Sequence, residues 1–131
     1  MPEVDQIIST AKFGDLIEFS YPIGYSHWGV YADDGYVVHF AVAEGWSVIN
    51  LLLGETMIRR VPLAEVNVPK GVHASISNNC HSFEPSAPED MRLRCSALLG
   101  QVFQYHLLSF NCEHFATYVR YGKAICNQVL I

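Results

Sequence analysis

Residues 27–41 read HWGVYADDGYVVHFA. Bulky and β-branched side chains alternate on both sides of Asp33-Asp34-Gly35, which is the pattern of a β-hairpin. The length of the turn decides what the hairpin displays. A two-residue Asp34-Gly35 turn sets Asp33 opposite Tyr36 and sends His27 and His39 to opposite faces. A three-residue Asp33-Asp34-Gly35 loop sets Ala32 opposite Tyr36, His27 opposite Ala41 and His39 opposite Gly29. Both imidazoles then share a face. The side chains favour this second register, because it makes one face wholly apolar: Trp28, Val30, Ala32, Tyr36, Val38 and Phe40. The other carries His27, Gly29, Tyr31, Val37, His39 and Ala41. The two histidines become diagonal neighbours with Cβ atoms roughly 7–8 Å apart. Loops of this length commonly place their last residue in the left-handed region, which suits Gly35. The small, polar-bearing face is expected to receive the start of a helix.

That helix is read from NCEHFATYVRYG, residues 111–122. Asn111 is a good N-cap, Glu113 complements the dipole in the first turn, and Gly122 stops the helix. Cys112, Phe115, Ala116 and Val119 recur at i, i+3, i+4 and i+7, so the thiol lies on the inward face. A thiol at the first helical position sees N–H groups that lack intrahelical partners and favour thiolate, and the same groups can hold an oxyanion. His114 lies about 200° around the helix and faces away. His27 and His39 are the candidate base and its partner. Two bland readings stand beside this one: a buried structural cysteine, and half-buried histidines that serve only packing. His73, His81 and His106 are read as surface or loop residues.

The remaining segments suggest strands followed by helices, hence α+β with an antiparallel sheet. Val4, Ile7, Ile8 and Ala11 mark a short N-terminal helix ended by Gly14. DLIEFSY, MIRRVPL and GVHASIS read as strands, with Pro62 at an edge or strand end. VFQYHLL is a further short strand, and NNCHSFEPSAP is a loop by composition. Ser86 and Glu89 have the spacing of a capping box for the helix DMRLRCSALLG, which should end at Gly100. Residues 42–56 are mixed.

The chain has 131 residues, half of them hydrophobic, and reads as a single domain over residues 1–131. A net charge of −5 argues against nucleic acid and against purely electrostatic docking on an acidic membrane. The first residues do not read as a signal peptide, and no apolar run is long enough to span a bilayer. Cys80, Cys95, Cys112 and Cys126 are read as free thiols of a cytoplasmic protein.

Two blocks resemble the lecithin:retinol acyltransferase-like family: NCEHFATYVRYG, and GDLIEFSYPIGYSHWGVYADDGYVVHF. The similarity covers about residues 13–122 and is greatest to the phospholipase A/acyltransferase branch. It implies a circularly permuted relative of the papain-like and NlpC-type cysteine hydrolases. By this resemblance Cys112 is the nucleophile, His27 its base, and His39 the residue that orients that base. Tyr25 of the Tyr-x-His-Trp motif stands near the oxyanion, with Asn111 positioning the helix start. The implied reaction moves an acyl chain from a glycerophospholipid to Cys112, then to water, an amine or a lysophospholipid, with no cofactor and no metal. Contact with the membrane is expected to be transient and peripheral, through the apolar stretch Ala41–Leu53 with Trp46. The sequence leaves the oligomeric state open. The alternatives are a non-catalytic interaction module of the same fold, and a metal site built from His27, His39 and Cys112. The chain departs from the family in SYPIGYSHW, where members often carry an arginine before the motif. It also stops at CNQVLI, where many relatives continue into a hydrophobic anchor.

Overall fold

A computed structural model describes residues 2–20, 22, 26–41, 55–66, 71–78, 81, 83–104 and 112–125. In chain order the elements are α1 (Pro2–Thr10), β1 (Leu16–Ser20), β2 (Ser26–Tyr31), β3 (Tyr36–Ala41) and β4 (Glu55–Pro62). A 3-10 turn (Leu63–Glu65), β5 (His73–Ile76), α2 (Pro88–Leu98), β6 (Val102–Gln104) and α3 (Cys112–Tyr121) follow. Among the described residues six strands form one sheet in the order β5-β1-β2-β3-β4-β6, every neighbouring pair antiparallel. The class is α+β, as the sequence indicates.

The hairpin adopts the three-residue register. Val30 pairs with Val38 and Tyr31 with Val37. The Ala32 amide donates to the Tyr36 carbonyl at 2.8 Å, and the Tyr36 amide to the Asp33 carbonyl at 3.0 Å. Asp34-Gly35 thus closes a tight turn, but Asp33 is extruded as a bulge and shifts the pairing by one residue. Asp33, Asp34 and Gly35 all have positive φ, at 67°, 56° and 82°. The expectation placed only Gly35 there; aspartate tolerates the left-handed region through its short polar side chain. The Gly35 amide donates to the Tyr31 hydroxyl at 2.8 Å, and the Leu63 amide to the Gly35 carbonyl at 2.7 Å. The turn is therefore tied from both sides, and a slip of one residue would break both ties.

Strand alternation divides the core in two. On one face Leu16, Trp28, Val30, Val38 and Ile58 pack with Met91 and Cys95 of α2 and Cys112, Phe115, Ala116 and Val119 of α3. On the other Ile17, Phe19, Tyr31, Val37 and Leu63 pack with Val4 and Ile7 of α1. The apolar stripe of α3 is fully buried, and Phe115 alone contributes about 1.5–3 kcal/mol of burial. The C-terminal turn of α3 is anchored by Arg120, which donates to the Gly14 carbonyl at 2.9 Å and lies 3.6 Å from Asp15. Gly122, at φ 75°, ends the helix.

The expected capping box does not form. α2 begins at Pro88, with Ala87 as its cap and no side-chain capping bond. Proline at the first helical position has no N–H to satisfy and a φ suited to the helix, so the start moves past Ser86. Ser86 instead accepts from Arg94 Nη1 at 2.7 Å. Residues 42–54, including Trp46 and the apolar stretch expected to meet lipid, lie outside the described residues.

Candidate active site

The two histidines meet on one face of the hairpin. His27 Nε2 and His39 Nδ1 are 2.9 Å apart, joined by a hydrogen bond, with ring planes at 76°. The register brings His39 diagonally across from His27, and Gly29 lets its ring pass. A Cβ on Gly29 would lie 2.8 Å from Val37 Cγ2 and 3.3 Å from His39 Cβ. Glycine at this position is therefore a steric requirement of the pair, one that the sequence analysis did not assign. Phe19 closes the far side of His27 at 5.8 Å between ring centroids.

Burial pushes the pKa of His27 down to about 4. That of His39 falls to about 3, through burial first, then the neighbouring His27 and the charge of Arg59. Arg59 stands directly opposite His39 on β4, on the same face of the sheet. Both imidazoles are neutral at neutral pH, so the pair is joined by a neutral hydrogen bond in which one ring donates and the other accepts.

Cys112 opens α3 and is completely buried. The helix was expected on the histidine face and packs instead on the opposite one, among Trp28, Val30 and Val38. The reason is area: the histidine side of the hairpin is covered by α1 and the 3-10 turn, and the apolar stripe of α3 matches the all-apolar side. Cys112 Sγ reaches the end of β2, where it donates weakly to the Ser26 carbonyl at 3.9 Å. That peptide links Ser26 to His27, so thiol and imidazole approach one stretch of backbone from its two sides. Among the described residues no group of three histidine, cysteine or acidic side chains gathers to hold a metal. His27, His39 and Cys112, the three residues of the metal reading, do not form such a group. Tyr25 and Asn111 lie outside the described residues.

A second polar pair sits beside the thiol. His81 lies in a loop, one of the two expected placements, but is buried rather than exposed, and its Nε2 lies 2.8 Å from Glu113 Oε2. Both side chains are almost wholly enclosed, at 0% and 1% exposure. The His81 ring packs edge-on to Trp28 at 5.5 Å and tilts against Tyr121 at 5.8 Å. Loop composition gave no sign of this histidine. The helix did carry one: Glu113 falls at i−3 and i−4 from the buried Ala116 and Thr117, a carboxylate on an inward arc that needs a partner. Of the other cysteines, Cys95 is free and buried, and burial pushes its thiol up to about 11. His73 is exposed, as expected, and pairs with Glu3 of α1 at 2.9 Å.

The family model for Lecithin retinol acyltransferase matches residues 9–125. Human phospholipase A and acyltransferase 4 is 36% identical over 125 residues, covering 90% of this chain and 74% of that protein. Human phospholipase A and acyltransferase 3 is 37% identical over 130 residues, covering 93% and 78%. Human phospholipase A and acyltransferase 1 is 32% identical over 120 residues, covering 88% and 70%.

Proposed function

Because this chain belongs to the lecithin retinol acyltransferase family, we propose that it is a thiol-dependent phospholipase A and acyltransferase in which Cys112, His27 and His39 carry the chemistry. The observation that supports this reading most is the hydrogen bond between His27 Nε2 and His39 Nδ1. It engages one nitrogen of His27 and leaves Nδ1 as the proton acceptor. For Nδ1 to accept, His27 must carry its proton on Nε2 and donate it to His39 Nδ1. His39 then holds its own proton on Nε2. A neutral base fits the depressed pKa of both rings. Catalytic hydrogen bonds commonly tighten only when substrate is bound, so thiol and imidazole need not be in contact beforehand.

The steps follow. His27 Nδ1 takes the Cys112 proton as Sγ attacks an ester carbonyl of a glycerophospholipid. The N–H groups that open α3 hold the oxyanion, with Tyr25 assigned there by its motif. His27 returns the proton to the leaving alkoxide, lysophospholipid departs, and a thioester remains on Cys112. Water then yields fatty acid. An amine, as in phosphatidylethanolamine, or a lysophospholipid hydroxyl would instead take the acyl chain. Phospholipid is presented at a surface, and among the described residues no helix is long and apolar enough to cross a membrane. A transient contact through residues 41–53 suits that requirement.

Intact-mass spectrometry after mixing with phosphatidylcholine tests the proposal. The wild-type chain should gain one acyl group on Cys112, released by hydroxylamine, and Cys112→Ser should gain none. Acylation at another residue, or turnover that survives Cys112→Ser, would end it.

A further inference from the structure

The buried pair His81–Glu113 lies one residue from the thiol, yet the acyl-transfer steps make no use of it. Glu113 follows Cys112 in the first turn of α3, and its carboxylate is enclosed beneath the helix. An enclosed carboxylate must be held by hydrogen-bond partners, and whatever holds it also fixes the turn that carries it. His81 does so through the 2.8 Å contact between Nε2 and Oε2. It comes from the loop before α2 and is itself wedged between Trp28 of β2 and Tyr121 at the far end of α3. Trp28 lies two residues from Ser26, whose carbonyl receives the thiol. His81 therefore touches both elements whose relative placement sets the position of Sγ. Among the described residues its Nδ1 has no hydrogen-bond partner, so the ring is held by one polar contact and two aromatic neighbours.

We infer that His81 is a positioning residue for Cys112: it clamps the Glu113 carboxylate and fixes the first turn of α3 against the start of β2. The inference rests on the reading of Cys112 as the nucleophile, but its main measurement does not.

The experiment compares four full-length variants, His81→Leu, His81→Gln, Glu113→Gln and the double variant His81→Leu/Glu113→Gln. The readouts are Cys112 alkylation by iodoacetamide across pH, kcat and KM on phosphatidylcholine, and the melting temperature. Displacement of a reacting group by about 1 Å can cost about 10²-fold, so His81→Leu should slow alkylation and lower kcat by roughly 10–100-fold with KM little changed. His81→Gln keeps an N–H for the carboxylate and should lose only about two- to fivefold. The double variant replaces both members of the buried pair, which costs less than removing one of them, and should be alkylated faster than His81→Leu. A residue that merely filled space would make the double variant equal to the single or worse. Wild-type alkylation in His81→Leu, or a double variant alkylated no faster than His81→Leu, overturns the clamp. If His81→Leu does not fold, His81→Gln and Glu113→Gln decide. Slower Cys112 alkylation at an unchanged melting temperature supports the clamp, and wild-type rates in both overturn it. Acyl transfer that survives Cys112→Ser would remove the nucleophile reading and leave the alkylation result standing.

Discussion

The two faces of the β2–β3 hairpin are built from alternate residues of the same strands and do different work. One presents Trp28, Val30 and Val38 to α3, and burying it fixes the helix that starts with Cys112. The other presents His27 and His39 to each other across Gly29. Both faces are largely enclosed, so burial alone does not separate chemistry from scaffold. The difference lies in polarity. The apolar face satisfies itself by packing, whereas the histidine face needs a hydrogen bond inside a site that keeps both rings neutral. Cys112 comes from the packing side and His27 from the polar side, and both lie where β2 begins.

The sharpest way to break this division is to remove the proposed base, His27. His27→Ala leaves the apolar face intact and should lower the rate of acyl-thioester formation by about 10²–10⁴-fold, the range for general base catalysis. Single-turnover kinetics would read it. A loss of less than about threefold would mean that the histidine face is not the catalytic one. His39→Gln tests the same face less severely. Its side-chain oxygen can still accept from His27 Nε2, so some activity should remain, with a loss of roughly 10–100-fold. An equal, complete loss in both variants would contradict the assignment of base and orienter.

The cysteines sharpen the comparison from the apolar side. Cys95 and Cys112 both belong to that core, and neither is tied up in a disulfide. Cys95 lies inside α2, with its thiol pushed up to about 11 by burial. Cys112 opens α3, where the amides of a first turn lack intrahelical acceptors. Near neutral pH, iodoacetamide should modify Cys112 at least about tenfold faster than Cys95, because the burial that raises the Cys95 thiol leaves almost none of it ionised. Peptide mapping after short exposures would show it. Equal rates would place Cys112 among structural thiols.

Which of these features the sequence discloses follows from how local each one is. The hairpin register was legible because it rests on alternation and on three turn residues, and the helix face because Cys112, Phe115, Ala116 and Val119 repeat within one short helix. The side of the sheet that α3 covers was not. Alternation says which side chains travel together, while the choice of face depends on α1 and Leu63 claiming the other side. The capping box failed because Pro88 supplies a competing helix start two residues after Ser86. The burial of His81 is not legible because its partner Glu113 is 32 residues away and its loop has no periodicity. The histidine pair was thus legible in the sequence, and the His81–Glu113 pair beside the thiol only in three dimensions.

The histidine face should also betray itself by pH. Both folded pKa values lie below the ordinary 6.5, so between 6.5 and about 4 the unfolded chain binds more protons than the folded one. The pair's contribution to stability is full above about 6.5. It is lost as pH falls through about 4 for His27 and about 3 for His39. Denaturant melts should therefore show stability declining from pH 6.5 downward, and His27→Ala/His39→Ala should flatten that decline. An unchanged decline would mean that other groups set the acid limit.

The smallest expected effect concerns Arg59, which borders the histidine face without joining the pair. Its charge is the last of three causes that lower the His39 pKa, after burial and His27. Arg59→Gln removes that charge and leaves burial in place. The His39 midpoint, followed by NMR of the imidazole C–H signals, should rise yet remain well below 6.5, because burial still dominates. The direction tests the geometry, since Arg59 can act on His39 only if the two share a face across β3 and β4. A fall, or no change, would separate the two side chains. A rise to the ordinary value would make Arg59 rather than burial the cause, and the histidine face would then be open to water.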